Sequence, residues 1–390
     1  MNTKLLAPTV QEFIRTYSEP TAVLAFKGSP FEDITVQELI TQIEGFRKTK
    51  NKLPLWHQTP GIYYPARLNI EQTSSETTAA YKTTLVQGNS LADITGGYGV
   101  DAYYFSKRFE SVHHFEKVEA LSDIARHNFS ILDANKVQCH SDDGVAAVSS
   151  QSYDVIYADP ARRHDAKGKV FLLADCEPDL VTHASSLLRS CKTMLVKTSP
   201  MLDISLGWQE LPNSRAVHVV AVDNEVKELL WLLEDRSSKE RTITAVNIRG
   251  EQREEFTFVP ESPEATAYSQ PLTYLFEPNA AILKAGGYRY LSAALGVPKL
   301  HKHSHLFTSE SLAAFPGRVF RINKILPYRK PIMQRELKGI KANITTRNFP
   351  VRVEDLRKKW RISDGGEVYL FFTTIGESEK VVLHCERIAS

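Results

Sequence analysis

From residue 89 onward the chain alternates apolar runs with amphipathic stretches, and that alternation limits its fold more than any other feature. "SLADI", "SVHHFE", "KVQCH", "YDVIYAD" and "TMLVKTS" read as strands. "GVDAYYFSKRF", "ALSDIARHNFSIL" and "PDLVTHASSLLRS", lying between them, carry apolar residues at three- and four-residue spacing and read as helices. Strands separated by helices of about ten to fifteen residues pair in parallel, so the pattern predicts a doubly wound α/β sheet. "AVHVVAVDNEVKELLWLLE" breaks the rule, because only "DNE" separates two strand-like runs. That is a hairpin, and it predicts a seven-stranded Rossmann-like sheet with an antiparallel last strand.

At 390 residues the chain exceeds what one core usually supports. Residues 1–80 read as an N-terminal helical domain and 81–265 as the α/β domain, with 266–317 a linker and small α/β segment. Residues 318–390 form a basic module: Arg318 to Arg361 holds fourteen Lys/Arg against three acids, Glu336, Glu354 and Asp355. No run of eighteen apolar residues occurs, so no membrane partner is expected. The start of the chain lacks a signal-peptide pattern, and the four cysteines have no C-x-x-C spacing, which fits a reducing cytoplasm.

"LADITGGYGVD" sets Asp93 at the end of the first strand and Thr95, Gly96, Gly97 and Gly99 in the turn that opens a helix. Such a turn lets a ligand approach the backbone closely and offers free N–H groups. Gly97, Gly99 and Ala102 also satisfy the dinucleotide pattern G-x-G-x-x-A, with Glu116 as the ribose acid. Asp93 argues against a pyrophosphate, whose charge it would repel. S-adenosylmethionine, which carries a sulfonium and an ammonium and no phosphate, suits an acid there. The next strand ends are acidic too: Glu116 for the ribose hydroxyls, Asp143 first and Asp142 second for the adenine amine, and Asp159 after strand four.

Residues 89 to about 235 thus resemble the class I S-adenosylmethionine-dependent methyltransferases, with "DITGGYGVD", "HHFEKVE", "HSDDG" and "DPAR" in that family's order. "IEQTSSETTAAYK", "ADPARR", "VKTSPMLDI" and "YLFEPNAAILKAG" extend the resemblance over nearly the whole chain, to bacterial methyltransferase-fold proteins with a C-terminal THUMP-like domain. The resemblance implies a methyl donor and a methyltransferase, and leaves the target open.

Asp159 and Pro160 match the start of the Asp-Pro-Pro-aromatic motif of amine methylation, in which the acid and the proline carbonyl hold the amine. Ala161 and Arg162 replace its remainder. Asp159, Pro160 and Arg162 are therefore the candidate catalytic residues, with Arg163 beside them as a phosphate contact. Uracil C5 methylation would require a nucleophilic cysteine; Cys191, just before strand five, reads better as a buried helix-end residue. A further arrangement sets Lys197 with Asp159, Lys82 and another acid, Glu225, around a ribose hydroxyl. In the basic module Arg329, Lys330, Arg347, Arg357 and Lys358, interleaved with Tyr328, Phe349 and Trp360, read as an RNA-binding surface. "HKHSH" (His301, His303, His305) has no companion ligand and implies no metal. The expectation is methylation of a base in tRNA or rRNA; a silent RNA-binding protein and a small-molecule methyltransferase are the alternatives.

Overall fold

The computed structural model describes residues 1–162, 172–235, 240–260 and 266–388. They form two compact units, one of residues 1–217 with 228–240 and one of 218–227 with 241–390. The N-terminal helices therefore belong to the α/β unit and form no compact unit of their own.

Within the first unit, helix Val36–Lys52 begins at a capping box in which Thr35 accepts from the Glu38 N–H and the Glu38 side chain accepts from the Thr35 backbone. Leu39 and Ile43 on its inner face join Leu5, Val10, Ile14, Leu24 and Ile34 in one apolar cluster. Asn128, on helix Glu119–Ile131, ties this layer down: its Oδ1 accepts from the Tyr63 N–H and its Nδ2 donates to the Tyr63 carbonyl, both at 2.9 Å.

The strands are β1 (Ser90–Asp93), β2 (Ser111–Phe115), β3 (Val137–His140), β4 (Tyr153–Ala158), β5 (Cys191–Thr198), β6 (Ser214–Val222) and β7 (Glu225–Leu233). Their order is β3-β2-β1-β4-β5-β7-β6. β1 is parallel to both β2 and β4, β4 is parallel to β5, and β7 lies antiparallel to β5 with Lys197 opposite Leu230. The hairpin turn at Asp223 and Asn224 is left-handed at both residues (φ 51° and 65°), the geometry that suits right-twisted strands. The strand order reverses between β1 and β4, so the crevice beyond their carboxyl ends is the natural ligand position.

In the second unit the hairpin tip is followed by β8 (Thr242–Arg249) and β9 (Gln252–Phe258), an antiparallel pair beyond the seven expected strands. A separate sheet comprises β10 (Tyr274–Pro278), β11 (Phe307–Ser309), β12 (Gly317–Pro327), β13 (Asn343–Arg347), β14 (Val368–Ile375) and β15 (Glu379–Arg387), in the order β11-β10-β12-β15-β14-β13. Helices Lys330–Glu336 and Val353–Trp360 contribute Met333, Leu356 and Trp360 to a core with Leu370, Phe372 and Val382 of that sheet.

Candidate functional site

The glycine turn opens at the end of β1 and is held from below. Asp93, 1% exposed, accepts from the Thr95 N–H at 3.0 Å and from the Thr95 hydroxyl at 3.3 Å. Burial, reinforced by the neighbouring charges of Asp101 and Asp159, pushes its carboxyl well above the ordinary range. Asp93 thus shapes the turn from beneath through its contacts with Thr95. Gly96 must lack a side chain, because a Cβ there would stand 2.4 Å from Nε2 of the buried His114. Gly99 has φ +86°, and its missing Cβ makes room for Phe129.

Glu116, at the end of β2, clasps the turn: Oε2 accepts from the Gly97 N–H and Oε1 from the Val118 N–H, each at 2.8 Å. Every oxygen keeps a second lone pair. Asp143 caps helix Gly144–Val148 by accepting from the Val145 and Ala146 N–H groups, and it pairs with Lys117 at 3.1 Å. Burial works against its charge, but Lys117 and those two N–H groups outweigh it and hold the carboxyl below its ordinary range. Asp142 is exposed and spends one oxygen on the Asp143 N–H. Of the two, Asp143 is engaged by its cap and its lysine and Asp142 is the more open.

The carboxyl ends of β4 and β5 carry a buried ion cluster that sequence reasoning saw only in part. Lys197 pairs with Asp159; their side chains are 14% and 26% exposed. Behind them Lys82, the last residue of helix Glu76–Lys82, is 0% exposed. It lies 2.9 Å from Glu228, 3.2 Å from Asp101 and 2.8 Å from the Ser74 hydroxyl. Asp101 also accepts from Ser74 at 2.8 Å and from the Tyr157 hydroxyl at 2.9 Å. Burial disfavours its charge, but Lys82 and Lys197 together bring its carboxyl below the ordinary range. Burial likewise disfavours the Lys197 ammonium, and Asp159, Glu228 and Asp101 more than compensate, so Lys197 stays cationic. Glu228 moves the other way: its burial outweighs both lysines and raises its carboxyl. The acid that completes the group is thus Glu228; Glu225 is exposed and pairs with Lys227. The available signal was an acid at the start of the unbroken apolar run "LLWLL".

Pro160 is buried and Arg162 exposed, and Ala161–Arg162 pair antiparallel with Cys176–Glu177. Arg163 lies outside the described residues. Cys191 opens β5, at the strand end opposite Lys197, and burial pushes its thiol up to about 12. It is also the C-cap of the 3-10 turn Leu188–Ser190, the helix-end place expected of it, and its raised thiol at the far strand end makes it no nucleophile for this site.

In the basic module Arg329, Lys330 and Lys358 are exposed. Arg347 instead pairs with the buried Glu277 at 2.7 Å, alongside Arg318, and Arg357 donates to the Ala342 carbonyl at 3.1 Å and pairs with Asp364. These two arginines are spent on the module's own structure. Trp360 is buried, and the half-buried Tyr328 and Phe349 pack against it and Phe372, so of the three aromatics read as stacking platforms Trp360 is core. His301 accepts from the His303 N–H, and among the described residues no group of three or more His, Cys, Asp or Glu could hold a metal. No helix among them is long and apolar enough to cross a membrane.

Residues 317–387 match the THUMP domain-like family, and residues 274–316 match a ferredoxin-like domain family. Over its full length the chain is similar to the crystal structure of a methyltransferase candidate from Porphyromonas gingivalis W83, at 32% identity, covering 100% of this chain and 99% of that one with a TM-score of 0.86. SMU.1697c from Streptococcus mutans, a methyltransferase candidate solved in complex with SAH, is 14% identical over 40% of this chain and 96% of its own, with a TM-score of 0.31. An rRNA methylase from Streptococcus thermophilus is 11% identical over 40% of this chain and 93% of its own, again with a TM-score of 0.31. Neither of these two distant likenesses carries weight. No curated protein matches the chain. The full-length similarity and the two C-terminal matches together place the chain in the family of class I methyltransferase-fold proteins with a C-terminal THUMP-like domain.

Proposed function

We propose that this protein transfers the methyl group of S-adenosylmethionine to RNA, with tRNA or rRNA as the substrate. The observation that carries the reading is the row of acids at the β1/β4 reversal. Glu116, Asp142 and Asp159 follow three strand ends around a turn that Asp93 holds from beneath and whose Gly96 leaves no room for a side chain. This lining fits a cationic donor and is ill suited to a pyrophosphate. In this reading Thr95, Gly96, Gly97 and Gly99 seat the amino acid end of the donor, Glu116 takes the ribose hydroxyls and Asp142 the adenine amine, with Asp143 supporting it through the loop. When bound, the donor supplies an already activated methyl, so the protein's share of the catalysis is orientation and control of charge.

The acceptor would lie at Asp159 and Pro160, with Arg162 and Arg163 as the sequence-adjacent cations for its phosphates. The exposed cations Arg329, Lys330 and Lys358 suit the backbone of RNA, and the match of residues 317–387 to the THUMP domain-like family supports that partner. Methylation of a base amine would use Asp159 as an acceptor, and Lys197 holds one oxygen of that carboxylate.

Titration calorimetry of the full chain with S-adenosylmethionine, followed by tritiated-methyl transfer into total RNA from a strain lacking the gene, tests this function. Binding and incorporation above that into wild-type RNA are expected. No heat at millimolar donor, or no label in either RNA, would sink the reading.

A further inference from the structure

We propose that the methyl acceptor is a ribose hydroxyl of the RNA, activated between Asp159 and Lys197; the inference rests on the reading of the chain as an RNA methyltransferase. The two acceptor classes make opposite electrostatic demands. An amine nitrogen gains positive charge as it attacks, so its site needs free carboxylate and carbonyl acceptors and no nearby cation. A hydroxyl oxygen must shed its proton and gains negative charge, so its site needs a cation and a base together. The carboxyl ends of β4 and β5 present that second combination, an ammonium bound to a carboxylate, both partly open to solvent.

The surroundings keep the pair in this state. Glu228 and Asp101, closed off behind it around Lys82, join Asp159 in supplying the negative charge that holds Lys197 cationic. The group draws on five elements: helix Glu76–Lys82, helix Val100–Ser106, the end of β4, β5 and β7. Two lysines and three acids out of water are a poor route to stability, since well-packed apolar residues of similar volume often do as well or better. Nor does the segment after Pro160 supply a ring on which a base could stack, since Ala161 and Arg162 stand there.

In the step itself the hydroxyl donates to the Asp159 carboxylate while the Lys197 ammonium faces the same oxygen. A bond forms between that oxygen and the donor's methyl carbon as the carbon–sulfur bond breaks, its electron pair staying on sulfur. The hydroxyl proton passes to Asp159 and from there to water. Asp159 suffices as a base because the oxygen becomes far more acidic as the new bond forms. Lys197 and Asp159 touch the reacting atoms; Lys82 and Glu228 are positioning residues that act through Lys197.

The test uses the full chain, tritiated S-adenosylmethionine and total RNA from the strain lacking the gene. Labelled RNA is hydrolysed with alkali, and its nucleosides are identified by mass spectrometry. Because alkaline cleavage needs a free 2′-hydroxyl, label in alkali-stable dinucleotides and in 2′-O-methylnucleosides is the expected result. Label in a base-methylated nucleoside would overturn the inference and leave RNA methyl transfer standing; donor binding without RNA label would remove both. Lys197→Met should keep donor affinity by calorimetry and lose transfer by about 10²–10³-fold, the scale for one lost transition-state charge contact. Lys197→Arg should recover part of it, and transfer by Lys197→Met at the wild-type rate would refute the role. In Glu228→Gln, Lys197 loses a neighbour that holds its charge, so the alkaline limb of the pH–rate profile should shift to lower pH. An unmoved limb would overturn the part given to Glu228.

Discussion

In the first unit two lysines and three carboxylates are drawn out of water and bind one another, whereas in the basic module Arg329, Lys330 and Lys358 point into solvent. The same residue types have different physics in the two places. Buried, each charge depends on its partners for the solvation it has lost, which makes the arrangement rigid and intolerant of single losses. Exposed, each keeps its water and acts independently, giving affinity for a polyanion that salt can remove. Two of the module's arginines also make one instance of the first kind: Arg318 and Arg347 hold Glu277 of β10, which is 3% exposed.

The largest effect should come from breaking the buried group. Lys82→Met leaves Glu228 and Asp101 without their shared cation and should cost about 3–5 kcal/mol in urea unfolding, as loss of one partner of a buried pair does. Lys82→Met with Glu228→Gln should cost less than the single change. If Lys82→Met unfolds like the wild type, the two regions do not differ as described.

Gly96→Ala ranks next, because the added methyl meets the His114 ring; overpacking of this kind costs about 1–3 kcal/mol and should weaken donor binding measured by calorimetry. A protein that accepted the methyl at no cost would show the turn to be looser than the close approach implies.

Asp93 provides a sign that can be checked. Its folded-state carboxyl titrates well above the unfolded value of about 3.9, so between those two values the folded state holds a proton that the unfolded state has lost. Stability from this group is fully present below the unfolded value and is lost as pH rises through the folded one. Asp93→Asn should therefore stabilise the protein at neutral pH, with the gain shrinking toward pH ~4, where both states of the wild type are largely protonated. A gain that grew toward acid pH would contradict the assignment.

The smallest effect on stability should come from the exposed cations. Arg329→Ala, Lys330→Ala and Lys358→Ala together should leave unfolding unchanged and reduce RNA retention. The slope of log affinity against log salt should flatten by about 2–3 as three phosphate contacts vanish. A fall in stability equal to that of Lys82→Met would erase the contrast.

Much of the architecture was legible because hydrophobic period and turn chemistry act locally. The five parallel strands, the glycine turn before helix Val100–Ser106 and the Asp223–Asn224 hairpin all follow from short stretches read alone. The acids of the proposed donor site could be placed on the fold for the same reason, since each lies at or just past the end of its own strand. The acceptor side was harder to read. In "EVKELLWLL" the strand is buried on both faces beyond Lys227, so alternation could not say whether Glu225 or Glu228 turned inward. Trp360 read with Tyr328 and Phe349 as part of a stacking surface and is buried, because cations between aromatics look alike whether a ring faces solvent or the interior.

By itself, then, the sequence determined which segments become strands, where the chain turns and which strand ends carry acids, since those depend on residues within a few positions of one another. Only the tertiary structure decided which charges meet. Lys82 and Glu228 are 146 positions apart and become partners because helix Glu76–Lys82 and β7 converge beside the sheet. Their pairing depends on burial and register between distant segments, and neither quantity is written in any local stretch of the chain.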